Sequence, residues 1–213
     1  DTAAFRYWDS SFVFTEGGAT DTVSTAPFGT TYTATLTSFE LLEIAGLVMT
    51  SAELLAGNFI YGNYSGETLQ GTTGSDIIFG GQHGGTSNDG ADYINASAGD
   101  DFIQGGGQDD TIVGGSGGDF IHGGNGIDEA SYANSGSGVS VNLLTGAGAL
   151  GDAQGDTLVS IENLFGSLHG DTLTGNDGDN SINGSNGDDI LIGGLGTNTL
   201  EGGNGIDTFI GGA

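Results

Sequence analysis

The most constraining feature of the chain is a nine-residue pattern, Gly-Gly-x-Gly-x-Asp-x-apolar-x, which returns in register over two stretches. Clear copies are residues 114–122 (GGSGGDFIH), 184–192 (GSNGDDILI) and 202–210 (GGNGIDTFI). A fixed period is typical of solenoids, in which each unit buries its apolar side chain only by stacking on its neighbours. Because nine residues divide into a turn of six and a strand of three, the pattern predicts a coil of turns that carry aligned carboxylates.

The copies fall into two blocks. The first block begins repeats at Gly62, Gly71, Ser87, Ala96, Gly105, Gly114 and Gly123. A seven-residue insertion, residues 80–86, interrupts it. The second block begins repeats at Gly166, Gly175, Gly184, Gly193 and Gly202, and a degenerate copy, residues 151–159, precedes it.

Each place in the repeat has its own chemistry. Glycine at the first and fourth places permits backbone angles with positive φ, so we expect such angles there. The sixth place is acidic at Glu67, Asp76, Asp92, Asp101, Asp110, Asp119, Asp128, Asp171, Asp189 and Asp207, whereas Asn180 and Asn198 replace the acid. The eighth place is apolar at Leu69, Ile78, Ile94, Ile103, Ile112, Ile121, Leu173, Ile182, Leu191, Leu200 and Phe209. One inward side chain per short strand suits a thin coil with two sheets, because side chains alternate between faces.

The regular carboxylates predict a calcium site. Gly and Asp are common in ordinary solvated turns, but such turns do not keep register over consecutive units or pair each acid with an apolar residue two places on. Calcium takes hard oxygen ligands, which mix carboxylates with backbone carbonyls. The chain has no Cys and no pair of His at ligand spacing, so nothing suits a soft metal.

These residues resemble the repeats-in-toxin (RTX) family of secreted bacterial proteins, with haemolysin-type calcium-binding repeats, over roughly residues 62–213. The segment between the blocks is similar to linkers of that family. The resemblance implies an all-β fold, a right-handed parallel β-roll (β-solenoid) with two nonapeptides per coil, calcium-binding turns and an N-terminal β-strand cap. It also implies calcium held between turns one coil apart, by carbonyls of places one, three and five and by the sixth-place Asp.

Carried onto this chain, the resemblance pairs each acid with the turn one coil earlier. Asp110 pairs with the turn at Ser87, Asp119 with that at Ala96, Asp128 with that at Gly105, Asp189 with that at Gly166, and Asp207 with that at Gly184. The implied metal ligands are Asp76, Asp92, Asp101, Asp110, Asp119, Asp128, Asp171, Asp189, Asn198 and Asp207, with the first-place residues Gly105, Gly114, Gly123, Gly184, Gly193 and Gly202. Together they would hold several calcium ions, roughly eight.

Some positions depart from the family pattern. The site closed by Asn198 lacks a charge and is expected to be weaker. The insertion disturbs the sites expected at Asp92 and Asp101. Gln108 replaces the fourth-place glycine, and three acids follow a glycine at the fifth place instead, which predicts distorted turns at Glu67, Asp156 and Asp171.

Composition sharpens the prediction. The formal net charge is −27 with a single basic residue, Arg6, so nucleic acid is not expected as a partner. No apolar run reaches transmembrane length, and residues 1–30 do not show the basic-then-apolar pattern of a signal peptide. A glycine-rich chain with this self-repulsion cannot hold a thin core unaided, so we expect the calcium-free form to be disordered and the protein to fold outside the cell.

We expect four segments. Residues 1–61 form an irregular β-rich cap or the end of a preceding β domain, with one helical turn at residues 51–55. Residues 62–131 form the first β-roll block, residues 132–165 a degenerate linking coil with a strand at Val139, Val141 and Leu143, and residues 166–213 the second block. The linking coil joins the blocks into one rod, or alternatively is a hinge. The last block is expected to continue beyond the chain end, as in a piece of a longer protein.

Three functions follow from these features. The first is a structural calcium-binding module of a secreted or cell-surface protein, such as a surface layer, an adhesin stalk or an extracellular filament, with calcium-bridged contacts between copies. The second is the calcium-binding and secretion domain of an exported enzyme such as a protease, lipase or polyuronate epimerase. The third, a polysaccharide- or ice-binding surface, is disfavoured because the seventh place is mixed.

No catalytic role is expected within these residues, which carry neither an HExxH nor a GxSxG motif. The aromatic residues Phe5, Tyr7 and Trp8 are interpreted as part of the cap, with a sugar-stacking platform as the alternative. The histidines lack close spacing, and the Asp-Asp pairs are interpreted as turn residues because adjacent strand residues point to opposite faces.

Overall fold

The computed structural model of the chain describes residues 4–5, 12–16, 39–44, 47–50, 59–62, 65–81 and 90–211. The helical turn predicted at residues 51–55 and the aromatic residues Tyr7 and Trp8 lie outside this part of the chain. The described elements are short strands and a single 3-10 turn at Gly151–Ala153. The fold is therefore all-β, as predicted.

The strands form three sheets. An antiparallel sheet contains β1 (Ala4–Phe5), β2 (Phe12–Glu16), β3 (Phe39–Ile44) and β4 (Leu47–Thr50). A seven-stranded sheet contains β6 (Thr68–Gln70), β8 (Tyr93–Asn95), β10 (Thr111–Val113), β12 (Glu129–Ser131), β16 (Asn163–Phe165), β18 (Ser181–Asn183) and β20 (Thr199–Glu201). A ten-stranded sheet contains β5 (Phe59–Tyr61), β7 (Ile77–Phe79), β9 (Phe102–Gly107), β11 (Phe120–Asn125), β13 (Ser140–Asn142), β14 (Ala147–Ala149), β15 (Thr157–Val159), β17 (Thr172–Thr174), β19 (Ile190–Ile192) and β21 (Thr208–Ile210).

Within the repeats, successive strands alternate between the seven- and ten-stranded sheets, so each coil contains two nonapeptides. Neighbouring strands of one sheet are parallel and 18 residues apart, as in Thr111↔Glu129 and Ile190↔Thr208. Across the insertion the spacing grows to 25 residues, Thr68↔Tyr93, without loss of the pairing. This arrangement confirms the predicted parallel β-roll.

The middle segment departs from the regular coil. In the seven-stranded sheet β12 pairs directly with β16, but in the ten-stranded sheet three strands separate β11 from β17. These are β15, β14 and β13, and β14 is antiparallel to both of its neighbours. Val139 and Val141 are buried as expected of the predicted strand. Both sheets continue from the first block into the second through this segment.

The core is a single file of eighth-place side chains between the two sheets. Ile78, Ile94, Ile103, Ile112, Ile121, Leu173, Ile182 and Leu191 are each at most 1% exposed. Full burial of such a side chain contributes about 1.5–3 kcal/mol. Near the end of the described roll the file opens, because Leu200 is only partly buried and Phe209 is 53% exposed.

A row of aromatic rings stands on the outer face of the ten-stranded sheet. Tyr61 stacks on Phe79 with ring centroids 5.1 Å apart, and Phe102 stacks on Phe120 at 5.2 Å. Phe79 and Phe102 lie 5.9 Å apart in a tilted contact that joins the two pairs. These rings occupy places seven and nine, where the repeat pattern predicted no regular apolar residue.

The expected use of glycine is wrong at the first place. In the repeats that the structure describes in the two blocks, positive φ falls at places two and four, as at Gly115 (101°) and Gly117 (141°). Gln108 keeps the left-handed angle at a fourth place, with φ of 70°. The first-place glycines do not adopt such angles. At most of them an added Cβ would collide with the sixth-place side chain, as at Gly114 and Gly184, although Ala96 occupies the first place of its own repeat.

Candidate metal sites

A ladder of aspartates connects each turn to the turn of the next coil. The backbone N–H of one sixth-place residue donates to the Oδ1 atom of the sixth-place Asp of the following coil, at 2.6–3.1 Å. The pairs are Glu67 to Asp92, Asp76 to Asp101, Asp92 to Asp110, Asp101 to Asp119, Asp110 to Asp128, Asp171 to Asp189 and Asp189 to Asp207. The first two pairs span the insertion, so the insertion leaves the ladder intact at Asp92 and Asp101.

The second oxygen of several ladder carboxylates has no donor. Among the described residues, the Oδ2 atoms of Asp101, Asp119, Asp128 and Asp189 are buried and accept no hydrogen bond. The four side chains are at most 1% exposed. A buried carboxylate oxygen without a partner is costly, because burial removes its hydration. Each of these atoms is therefore suited to meet a cation.

A backbone carbonyl faces the same point as the carboxylate. A Cβ added to Gly184 would collide with Asp189 Oδ2 and would lie 2.9 Å from the carbonyl oxygen of Gly202, one coil later. Likewise, a Cβ on Gly166 would collide with Asp171 Oδ2 and would lie 2.9 Å from the carbonyl oxygen of Gly184. The first-place glycine therefore allows a carboxylate oxygen and a carbonyl oxygen of two successive turns to approach its backbone closely.

The electrostatics of the turns favour a positive ion. Burial is the main cause that raises the pKa of Asp119 to about 8, and the nearby Asp156 raises it further. Burial likewise raises the pKa of Asp101 to about 7 and that of Asp128 to about 6, and neighbouring acids add to both shifts. Such shifts mean that the charged form is disfavoured in this environment. A cation between the turns would offset that cost.

The donor chemistry fits calcium. Carboxylate and carbonyl oxygens are hard ligands, and calcium accepts six to eight of them with flexible geometry. Within the described residues, no three His, Asp or Glu side chains converge on one point that could hold a metal ion. Backbone carbonyls must therefore complete any donor set, which agrees with the carbonyl of Gly202 beside Asp189.

The comparison with known families decides the identity of the repeats. A family model described as the RTX calcium-binding nonapeptide repeat (4 copies) matches residues 61–83, 86–121, 98–130, 165–200 and 192–213, which is more than half of the chain. The chain belongs to the RTX calcium-binding repeat family. No curated protein was found to match it. Calcium is therefore the ligand of the RTX repeats, as predicted, whereas the number of ions stays a prediction.

Membership of the RTX family gives the coarse function. The chain is a calcium-binding structural module, and RTX repeats are characteristic of secreted bacterial proteins. In the part of the chain that the structure describes, no helix has the length and apolar character needed to cross a bilayer.

The structure places the predicted RTX ligands in adjoining turns. Asp119, Asp128, Asp189 and Asp207 each accept from the turn one coil earlier, and Asp110 accepts from Asp92 in the described part of the turn that begins at Ser87. Carboxylates lie against Gly105, Gly114, Gly123, Gly184 and Gly202, whereas Gly193 faces the amide of Asn198. Their roles as metal ligands stay predictions.

Three predicted ligands differ from the rest in their hydrogen bonds. Asp171 Oδ2 accepts from Ser167 N at 2.6 Å, and its Oδ1 accepts from Ser167 Oγ at 2.9 Å. The Oδ1 and Oδ2 atoms of Asp76 accept from the hydroxyl of Thr72 at 3.0 and 3.1 Å. Asn198 Nδ2 donates to the carbonyl of Leu195 at 2.7 Å. These three side chains therefore already make hydrogen bonds within their own turns.

A second ladder was missed in the sequence. Fifth-place aspartates accept hydrogen bonds from the backbone N–H of the fifth-place residue one coil later: Asp100 from Gly118, Asp109 from Ile127, Asp179 from Thr197 and Asp188 from Ile206, at 2.6–2.9 Å. The bonds run opposite to those of the sixth place. An Asp-Asp pair therefore connects its turn to both neighbouring coils. The occurrence of two adjacent acids was the sequence feature that could have predicted this second ladder.

Proposed function

We propose that this chain is a calcium-dependent structural module of a secreted or cell-surface bacterial protein, such as a surface layer, an adhesin stalk or an extracellular filament. It folds when calcium binds outside the cell. The observation that supports this proposal most directly is the row of buried Oδ2 atoms at Asp101, Asp119, Asp128 and Asp189, which have no donor among the described residues.

Charge is the first reason why folding depends on calcium. The chain carries a formal net charge of −27. Its core within the repeats consists mainly of the eighth-place side chains. Such a core cannot offset the repulsion between stacked carboxylates, so the free energy of calcium binding becomes free energy of folding. Roughly eight ions would offset about sixteen negative charges.

Calcium concentration is the second reason. Extracellular calcium modules bind the ion with dissociation constants of about 10⁻⁴ to 10⁻³ M. Such sites would stay empty at the low free calcium of a cytosol and would fill outside the cell. The chain would then pass through export in an extended form and become ordered afterwards.

Circular dichroism and small-angle X-ray scattering on the purified chain test the proposal. The chain is measured in EGTA and then with calcium or magnesium raised to about 10 mM, since magnesium dehydrates reluctantly and demands stricter geometry. Calcium should induce the strand signal and reduce the radius of gyration from about 50 Å to a value somewhat above the 17 Å of a compact globule of this length. A chain that stays ordered in EGTA would contradict calcium-dependent folding.

The scattering mass distinguishes the assemblies. A mass that rises with calcium after the chain has collapsed would support calcium-bridged contacts between copies, as in a surface layer or filament. A collapsed monomer at every protein concentration would instead favour the alternative, a folding and secretion domain attached to an exported enzyme.

A further inference from the structure

Each sixth-place acid with its N–H donor one coil earlier forms one rung of the aspartate ladder. We propose that the rung at Asp156 binds no calcium, because the hydroxyl of Tyr132 occupies the place that a cation takes in the other rungs. The proposal rests on the proposed calcium-dependent folding and identifies one position of the aspartate ladder that holds no ion. Asp156 belongs to the degenerate copy at residues 151–159, and Tyr132 begins the segment that follows the first block.

Asp156 has one hydrogen bond in common with the repeats and one that the ladder lacks. Its Oδ1 atom accepts from the backbone N–H of Asp119 at 2.9 Å, as a regular sixth-place Asp would. Its Oδ2 atom accepts from the hydroxyl of Tyr132, also at 2.9 Å. In the rungs of Asp119 and Asp128 the equivalent Oδ2 atom is buried and accepts no hydrogen bond from any described residue.

A calcium ion cannot approach Asp156 Oδ2 from the side that the Tyr132 hydroxyl occupies, because the donor proton would face the cation. Tyr132 and Asp156 are each only 3% exposed, so the hydroxyl cannot turn out to solvent without repacking. Burial and the adjacent acid raise the pKa of Tyr132 well above its usual value, which keeps it a proton donor.

The surroundings of the first-place glycine also differ at this rung. In the regular repeats a Cβ on the first-place glycine would collide with the sixth-place carboxylate, as at Gly114 and Asp119. A Cβ on Gly151 would instead meet Ser135 Oγ at 2.7 Å and Val139 Cγ1 at 2.9 Å. The close approach between the first-place glycine and the sixth-place carboxylate in the regular turns is therefore absent here.

The surrounding core explains why this rung can hold without metal. Tyr132 packs in the same buried cluster as Val139, Val141, Ala153 and Leu158. The middle segment therefore adds an aromatic ring and several apolar side chains to the core of the roll. Hydrophobic burial and a neutral donor replace the ion, so the two calcium-binding blocks are separated by a rung that needs no calcium.

Calcium stoichiometry measured by isothermal titration calorimetry tests the proposal, on the full chain and with Tyr93→Phe as a control that removes a partly exposed hydroxyl. Tyr132→Phe leaves Asp156 Oδ2 without its donor and should bind one more ion than the wild type. A Tyr132→Phe chain that folds and binds the same number of ions as the wild type would overturn the proposal.

A second pair of variants keeps the test informative if Tyr132→Phe does not fold. Asp156→Asn should retain the number of ions of the wild type, whereas Asp119→Asn should lose one. Loss of an ion in Asp156→Asn would also overturn the proposal. Failure of the wild type itself to bind calcium would contradict the proposed function instead, so the two failures are distinguishable.

Discussion

The backbone N–H of Asp101 donates a hydrogen bond to the Oδ1 atom of Asp119, which lies 18 residues later, at 2.9 Å. This bond lets one carboxylate serve two purposes. Oδ1 fixes the stacking of two coils, while the buried Oδ2 accepts no hydrogen bond from the described residues. If Oδ2 binds metal as proposed, that binding and the stacking through Oδ1 would be coupled, because both need the same side-chain position.

Asp119→Asn should weaken calcium-induced folding. The variant keeps an oxygen for Asp101 N but removes the charge, so we expect a loss of about 1–3 kcal/mol at saturating calcium. Urea unfolding followed by circular dichroism measures this loss. Asp109→Asn is the matched control, because it removes an equal charge from an exposed fifth-place residue. Equal effects of the two substitutions would show that net charge matters and the buried position does not.

Gly114→Ala should destabilise the fold because its new Cβ would collide with Asp119 Oδ2 and would lie 3.2 Å from Ile121 Cδ1. Overpacking of this kind typically costs about 1–3 kcal/mol. Gly136→Ala is the control, since no heavy atom lies within 4 Å of a Cβ at that position. Thermal unfolding in saturating calcium compares the two variants, and a Gly114→Ala chain as stable as the control would contradict the close approach.

Asp188 should stabilise the roll through its hydrogen bond and not through its charge. Its Oδ1 atom accepts from Ile206 N at 2.8 Å. Asp188→Ala should therefore lose about 0.5–1.5 kcal/mol, and Asp188→Asn should retain most of the stability because its amide oxygen can still accept. Urea unfolding midpoints in saturating calcium give the comparison. If Asn were as damaging as Ala, the charge and not the hydrogen bond would be responsible.

Protons should partly substitute for calcium. Burial raises the pKa of Asp119 to about 8 and that of Asp101 to about 7, whereas an unfolded Asp titrates near 4. Because the folded-state values are raised, this contribution to stability is fully present below the unfolded value and is lost as the pH rises through 7–8.

The measurement is circular dichroism in EGTA between pH 8.5 and pH 5, which should show more strand signal at the lower pH. In the presence of calcium the pH dependence of folding reverses, because protons compete with calcium for the same carboxylates. The calcium concentration needed for folding should therefore rise as the pH falls from 8 to 6. A calcium-free chain that becomes more ordered as the pH rises would contradict these assignments.

Ile121→Ala should be among the most damaging core substitutions. Ile121 is fully buried in the single file of core side chains, and such truncations cost about 2–5 kcal/mol. Ile206→Ala provides the control, because Ile206 is 81% exposed. Urea unfolding in saturating calcium should separate the two variants clearly. Similar losses would mean that the eighth-place file does not stabilise the roll.

Much of the repeat architecture was predictable because its contacts recur with the period of the sequence. The acid at place six and the apolar residue at place eight predict a turn and a strand, so the buried Ile112 follows from spacing. The pairing of Asp110 with the turn one coil earlier followed from the resemblance to the RTX family. The structural reason for glycine at the first place was not predictable, since a positive φ and the close approach of a neighbouring side chain both favour glycine. Only the structure shows that Gly114 is needed for space against Asp119.

The sequence by itself determined the two blocks, the strand of three residues in each repeat and the acids aligned one coil apart, because each depends on local spacing that repeats. The tertiary structure decided the contacts of the middle segment: Tyr132 donates to Asp156, and Glu162 accepts from Asp128 N across 34 residues. Those separations match no multiple of the repeat. They arise because an inserted antiparallel strand must pack on the same narrow core as its neighbours. Contacts made by such packing do not recur at a fixed spacing along the chain, so the repeat pattern cannot predict them.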